Sequence, residues 1–118
     1  MIKIITLYRM NKNSRYYQKE NFDNINYPVL ITWGIPDEEN QPQIVGEINH
    51  FRLEENELYA DVHIFKNETL DKISAEEIIE AYRFVPFGEG RLDKNGAVID
   101  YSLKYINLIP KNESSFEQ

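Results

Sequence analysis

The chain carries two imidazoles, His50 and His63, with Asp61 two residues before the second. Asp61 and His63 fall in a segment where Leu58, Ala60, Val62 and Ile64 alternate with Tyr59, Asp61 and His63. Period two is the mark of a strand with one buried face. The polar link Glu54-Glu55-Asn56-Glu57 is short enough for a tight hairpin between residues 43–53 and 58–65. If that hairpin turns at Glu55-Asn56, Leu53 faces Leu58 and His50 faces Asp61. His63 then faces Ile48 and lies diagonal to His50 on the same side. Two imidazoles and a carboxylate gathered there would suit base catalysis or metal ligation. The same residues equally suit a solvent-facing strand side, and a slip of one residue would part them. We expect neither a bound metal nor a cofactor.

Other chemistries find less footing. Cysteine is absent, which excludes disulfide scaffolds, thiolate zinc sites and cysteine nucleophiles. Ser74 is accounted for as a helix cap and Ser102 as a polar strand position, and no G-x-S-x-G elbow occurs. Gly88-Glu89-Gly90 lacks the third glycine of a dinucleotide fingerprint and follows a helix instead of opening one. It reads as a strand bend where backbone passes close to backbone. Arg9, Lys12, Arg15 and Lys19 interleave with Tyr8, Tyr16 and Tyr17, a pattern that can hold single-stranded nucleic acid. Twenty acidic residues against 13 basic ones, a net charge of −7, argue against a nucleic-acid partner.

The positioning elements are those of one small domain. The 118 residues, 42% hydrophobic and 13% aromatic, support one core over residues 1–111, with 112–118 as a polar tail. No apolar run approaches the roughly 20 residues of a membrane span, so no membrane partner is expected. Ile2 to Tyr8 reads as a first strand. Residues 11–26 read as a long loop or one short helix over 18–23. Residues 27–33 form a short buried strand with Pro28 at its start. Ser74 with Glu77 forms a capping box for a helix over about 74–84, whose stripe is Ala75, Ile78, Ile79 and Tyr82. Pro86 disfavours helix at Val85. Asn95-Gly96 marks a tight turn, and Ala97, Ile99, Tyr101, Leu103 and Tyr105 alternate beyond it. Ile106, Leu108 and Ile109 break that alternation, as at a bulge or where both faces are buried. The fold class is α+β, mainly β: a small, partly closed antiparallel barrel of about six strands with one helix.

Some aromatic residues lack an obvious core position. Tyr16, Tyr17, Trp33 and Phe87 sit beside polar loops or glycine bends, and Asp37, Glu38 and Glu39 add an acidic rim next to Trp33. Such rings are frequent interface anchors and such rims steer basic partners. They also suit a roof over a core short of aliphatic residues.

The order of segments resembles the prohead (capsid maturation) proteases of tailed bacteriophages over residues 13–115. Asn13-Ser14-Arg15-Tyr16-Tyr17 and Tyr27-Pro28-Val29-Leu30 look like that family's N-x-R-x-Y entry and early strand. Ile44-Val45-Gly46-Glu47-Ile48-Asn49-His50 resembles its G-E-L-x-H segment around the catalytic histidine, and Leu58-Tyr59-Ala60-Asp61-Val62 the strand after it. Gly88-Glu89-Gly90-Arg91-Leu92, then Val98-Ile99-Asp100-Tyr101-Ser102-Leu103 and Ile106-Asn107-Leu108-Ile109-Pro110, resemble its S-S-R-G-x-G region, the next strand and a D-L-V-like segment. Aligned on Gly88 and Gly90, the family's two serines and arginine become Val85, Pro86 and Phe87, which cannot attack a carbonyl. The resemblance therefore implies a protease-like fold without its nucleophile. It further implies a phage or prophage protein of the host cytoplasm or the virion, acting in head assembly. Its partners would be capsid or scaffold proteins, or further copies of itself. An unusual hydrolase using His50 with Asp61 or His63, and an acidic inhibitor of a host defence protein, are the alternative expectations.

Overall fold

The computed structural model describes residues 1–33, 43–65 and 75–111. One sheet dominates: β1 (Ile2–Thr6), β2 (Val29–Trp33), β3 (Gln43–Glu54), β4 (Glu57–Ile64), β5 (Tyr82–Leu92) and β6 (Val98–Pro110), with a helix α1 (Ala75–Ala81) before β5. The strand order is β1-β4-β3-β2-β6-β5, so β1 and β5 are the two edges of a sheet that curls into a partly closed barrel. The expected mainly-β class is what the chain adopts, with six strands and one α-helix among the described residues. Four of the five pairings are antiparallel, and the fifth, β2 with β6, is parallel.

That parallel seam joins two pieces that each form locally. The first is the β2-β3-β4 meander, to which β1 adds along the outer edge of β4. The β3–β4 hairpin turns at Glu55-Asn56, with Glu54 opposite Glu57 and Glu55 at a positive φ of 55°. The second is the β5–β6 hairpin. Asp93 organises its turn: its Oδ1 accepts from the Asn95 amide at 2.8 Å and the Ala97 amide at 3.0 Å. Gly96 takes the positive φ of 89° that this turn requires. The pieces meet where Ile31, Thr32 and Trp33 lie beside Ile106, Asn107 and Leu108. Thr32 donates its hydroxyl to Asn107 Oδ1 at 3.1 Å, and both residues are buried.

The core gathers Ile4, Ile5 and Leu7 with Val29, Ile31, Ile48, Leu58, Ala60, Phe84, Ile106 and Leu108. The break in alternation at Ile106, Leu108 and Ile109 reflects burial on both faces, because residues 106–109 are all buried and the β5–β6 register runs unbroken there. A 3-10 turn at Lys19–Phe22 packs against β6 inside the long loop. Asn21 fixes it by donating to the Val98 carbonyl at 2.9 Å while accepting from the Gln18 amide at 2.6 Å.

The helix is shorter than its periodicity predicts. It ends at Ala81, and Tyr82 already pairs with Pro110 in β5. Pairing of residues 82–86 with β6 outweighs the local helical pattern. Pro86 is tolerated inside β5 because β5 is an edge strand, where a missing N–H breaks no ladder. Ile78 is buried as expected, whereas Ile79 stays 38% exposed. The Ser74 cap lies outside the described residues.

The two glycines of β5 sit at shifts of register against β6, between Phe87 and Gly88 and between Glu89 and Arg91. A Cβ on Gly88 would overlap the Ser102 carbonyl oxygen and lie 2.8 Å from the Tyr101 ring, whereas one on Gly90 would meet Ile99 oxygen at 3.1 Å. Gly88→Ala should therefore cost about 1–3 kcal/mol in urea denaturation, and Gly90→Ala distinctly less. Equal, negligible losses would show that β5 does not approach β6 this closely.

Candidate functional site

The β3–β4 pairing places His50 opposite Asp61, as the hairpin arithmetic predicts. It does not place His63 opposite Ile48. The register shifts between Ile48 and His50, so Ile48 faces Val62 and His63 faces Glu47. The extra residue is Asn49, and its cause is apolar burial. With one residue inserted, Ile48, Phe51 and Leu53 all turn toward the core.

His50, Asp61 and His63 all stay on the solvent side of the hairpin and are exposed. The carboxylate beside His63 is Glu47, with Nδ1 to Oε1 at 4.0 Å, while Asn49 Nδ2 donates to the same oxygen at 3.3 Å. The His63 ring packs edge-on against Phe65 at 5.4 Å. Among the described residues, no three His, Asp or Glu side chains converge on a point that a metal ion could occupy. The arrangement offers a weakly held surface imidazole, without the buried orienting carboxylate that base catalysis calls for.

The aromatic residues divide. Tyr17 is 5% exposed and meets Tyr101 edge-on at 5.4 Å, so it is a core residue and not a surface anchor. The Tyr17–Phe22–Tyr101 cluster is the aromatic roof of the barrel. Tyr16 is half-buried and bridges to Ala97, with its amide donating to the Gly96 carbonyl at 2.9 Å. Trp33 is half-buried with its ring against Tyr82 at 5.6 Å. Asp37, Glu38 and Glu39 lie outside the described residues.

Phe87 is different: it is 48% exposed. Its ring stacks on Tyr105 at 5.0 Å with an interplanar angle of 8°. The two residues are directly opposite across β5 and β6. Burial of the Tyr105 phenol pushes its pKa above the ordinary value of 10.0. By strand alternation, Phe87 continues the face of Val85, and Tyr105 that of Asn107 and Ile109, all of them buried. The apolar strip on this outer face thus ends in an open aromatic pair beside the free edge of β5. The alternation places Tyr105 in a strand but does not give its pairing with Phe87, because that contact depends on both register shifts between Phe87 and Arg91.

Comparisons with protein families, with curated proteins and with solved structures return no match to this chain. Among the described residues, no helix is long and apolar enough to cross a membrane.

The burial difference sets expectations for Phe87 and Tyr17. Tyr17→Ala should lower stability by about 3–5 kcal/mol, the range for emptying an aromatic core position. Phe87→Ala should cost less than about 1 kcal/mol, because half of its surface is already in water. Thermal or chemical denaturation of the two variants reads the contrast, and a reversed order would overturn the assignment of core and surface.

Proposed function

We propose that the chain is a catalytically inactive protein of prohead-protease-like fold that acts by binding other proteins, as a component of phage head assembly or of the virion. The observation that carries this reading is the state of Val85, Pro86 and Phe87. Aligned on Gly88 and Gly90, these positions correspond to the serines and arginine of the family that the sequence resembles. Val85 is 7% exposed, Pro86 is buried, and both pair with β6. None of the three carries a group that can attack a carbonyl, and only His50 could stand for the family's catalytic set.

A protein without a nucleophile works through contacts, and the Phe87–Tyr105 pair is suited to that. Stacked rings present large area at low entropic cost, and aromatic anchors dominate many interfaces. Its position on an edge strand adds unpaired backbone groups beside the rings. Capsid or scaffold proteins of a phage, or further copies of the chain, are the partners this reading favours, and the host cytoplasm or the virion is where they would be met.

The test uses the full chain mixed with those capsid and scaffold proteins. Association should be detected by size-exclusion chromatography and should be lost in Phe87→Ala while the fold persists. No cleavage of the chain or of the scaffold should appear on incubation. Processing that vanishes in His50→Ala would replace this reading with that of a true hydrolase.

A further inference from the structure

The barrel is incomplete where its edge strands β1 and β5 face each other. A cleft of about 590 Å³ opens there, lined by residues of β1, by Tyr82, Arg83 and Phe84 of β5, by Ile79 of α1 and by residues 9–12. Its basic lining residues are Lys3, Arg9, Lys12, Arg83 and Lys111, and no carboxylate lines it among the described residues. This is a local inversion of charge in a chain of net −7. Lys3 is held by Glu57 at 3.1 Å. Arg83 Nη1 is buried and has no hydrogen-bond partner among the described residues. A guanidinium N–H withdrawn from water without an acceptor is costly, and a carboxylate is the partner that its planar fork fits best.

We propose that this cleft binds an acidic, extended segment of a partner protein. The cleft is separate from the Phe87–Tyr105 pair, and the proposal does not depend on that pair. Charge complementarity selects the acid. The form of the segment follows from the walls: Ile4, Ile5 and Phe84 are apolar and belong to the core, while Arg83 lies on the opposite side of β5 from Phe84. Among the described residues, the outer edges of β1 and β5 also carry no pairing strand. An extended segment with alternating apolar and acidic residues meets both walls at once and finds free backbone groups beside it. Nucleic acid fits less well, because the apolar wall of Ile4, Ile5 and Phe84 offers a phosphate backbone no partner, whereas it suits the apolar residues of a peptide.

The probe is a fluorescein-labelled hexapeptide of alternating glutamate and valine, titrated into the full chain by fluorescence anisotropy. Binding is expected, weakening as salt is raised. A lysine–valine peptide of the same length should not bind. Arg83→Gln and the exposed Lys111→Glu should each weaken binding about tenfold with the far-UV spectrum unchanged. If Arg83→Gln fails to fold, Lys111→Glu decides. Unaltered affinity in the folded variants, or no binding by the parent protein, would overturn the proposal. Equally tight binding of an oligothymidylate, or full displacement of the peptide by inorganic phosphate at matched ionic strength, would overturn it in favour of a simple anion site.

Discussion

The parallel contact between β2 and β6 is the constraint on which the architecture rests. The β3–β4 and β5–β6 hairpins each close through short turns, but neither the meander nor the β5–β6 hairpin buries its apolar face alone. They share one core only because Ile31 lies beside Ile106 and Trp33 beside Leu108. The Thr32–Asn107 hydrogen bond pins that register. A slip of one residue would set Thr32 against Ile106 or Leu108 and leave two buried polar groups without each other. The seam also decides which strands are edges. Because β6 is consumed by β2, β5 is left open, and the barrel stops short of closing against β1.

Several surface features follow from that open edge. Pro86 is allowed because β5 has no outer neighbour among the described residues, and the glycine-relieved bulges let β5 press against β6. The ion pair between Arg91 and Asp100 ties the far end of the same hairpin on its solvent side. On the outer face the buried strip of Val85, Asn107 and Ile109 runs out into Phe87 and Tyr105. Val85 and Pro86 are buried against β6, whereas Phe87 stands in the open. At the other end of β5 the missing closure creates a basic cleft in an acidic molecule. Both surfaces are consequences of one topological fact.

The strands were legible where one face is wet. The alternation of residues 58–64 and 97–105 marks two strands directly, and Glu55-Asn56 and Asn95-Gly96 mark two turns. His50 opposite Asp61 follows from the turn alone. His63 opposite Glu47 does not, since it needs the bulge at Asn49. The signal was present: Ile48 and Phe51 are three apart and Phe51 and Leu53 two, a spacing that only an extra residue can put on one face. The start of β5 was hidden because residues 75–82 are helical in pattern, and pairing with β6 is a long-range effect. Nor does anything local announce that β2 and β6 run parallel, since they are separated by most of the chain. Tyr17 looked like a loop aromatic because its neighbours are polar. Its burial is set by the 3-10 turn that folds it under Phe22 and Tyr101.

Native-state hydrogen exchange on the full chain tests the seam most directly. Amides of residues 31–33 and 106–108 should open only with global unfolding, as slowly as those in the centres of β3 and β4. The Asn107→Ala variant should lower the global value without separating the two sets. Exchange in which β5 and β6 open together at much lower free energy, while β2, β3 and β4 stay protected, would contradict a single core held at the β2–β6 pairing.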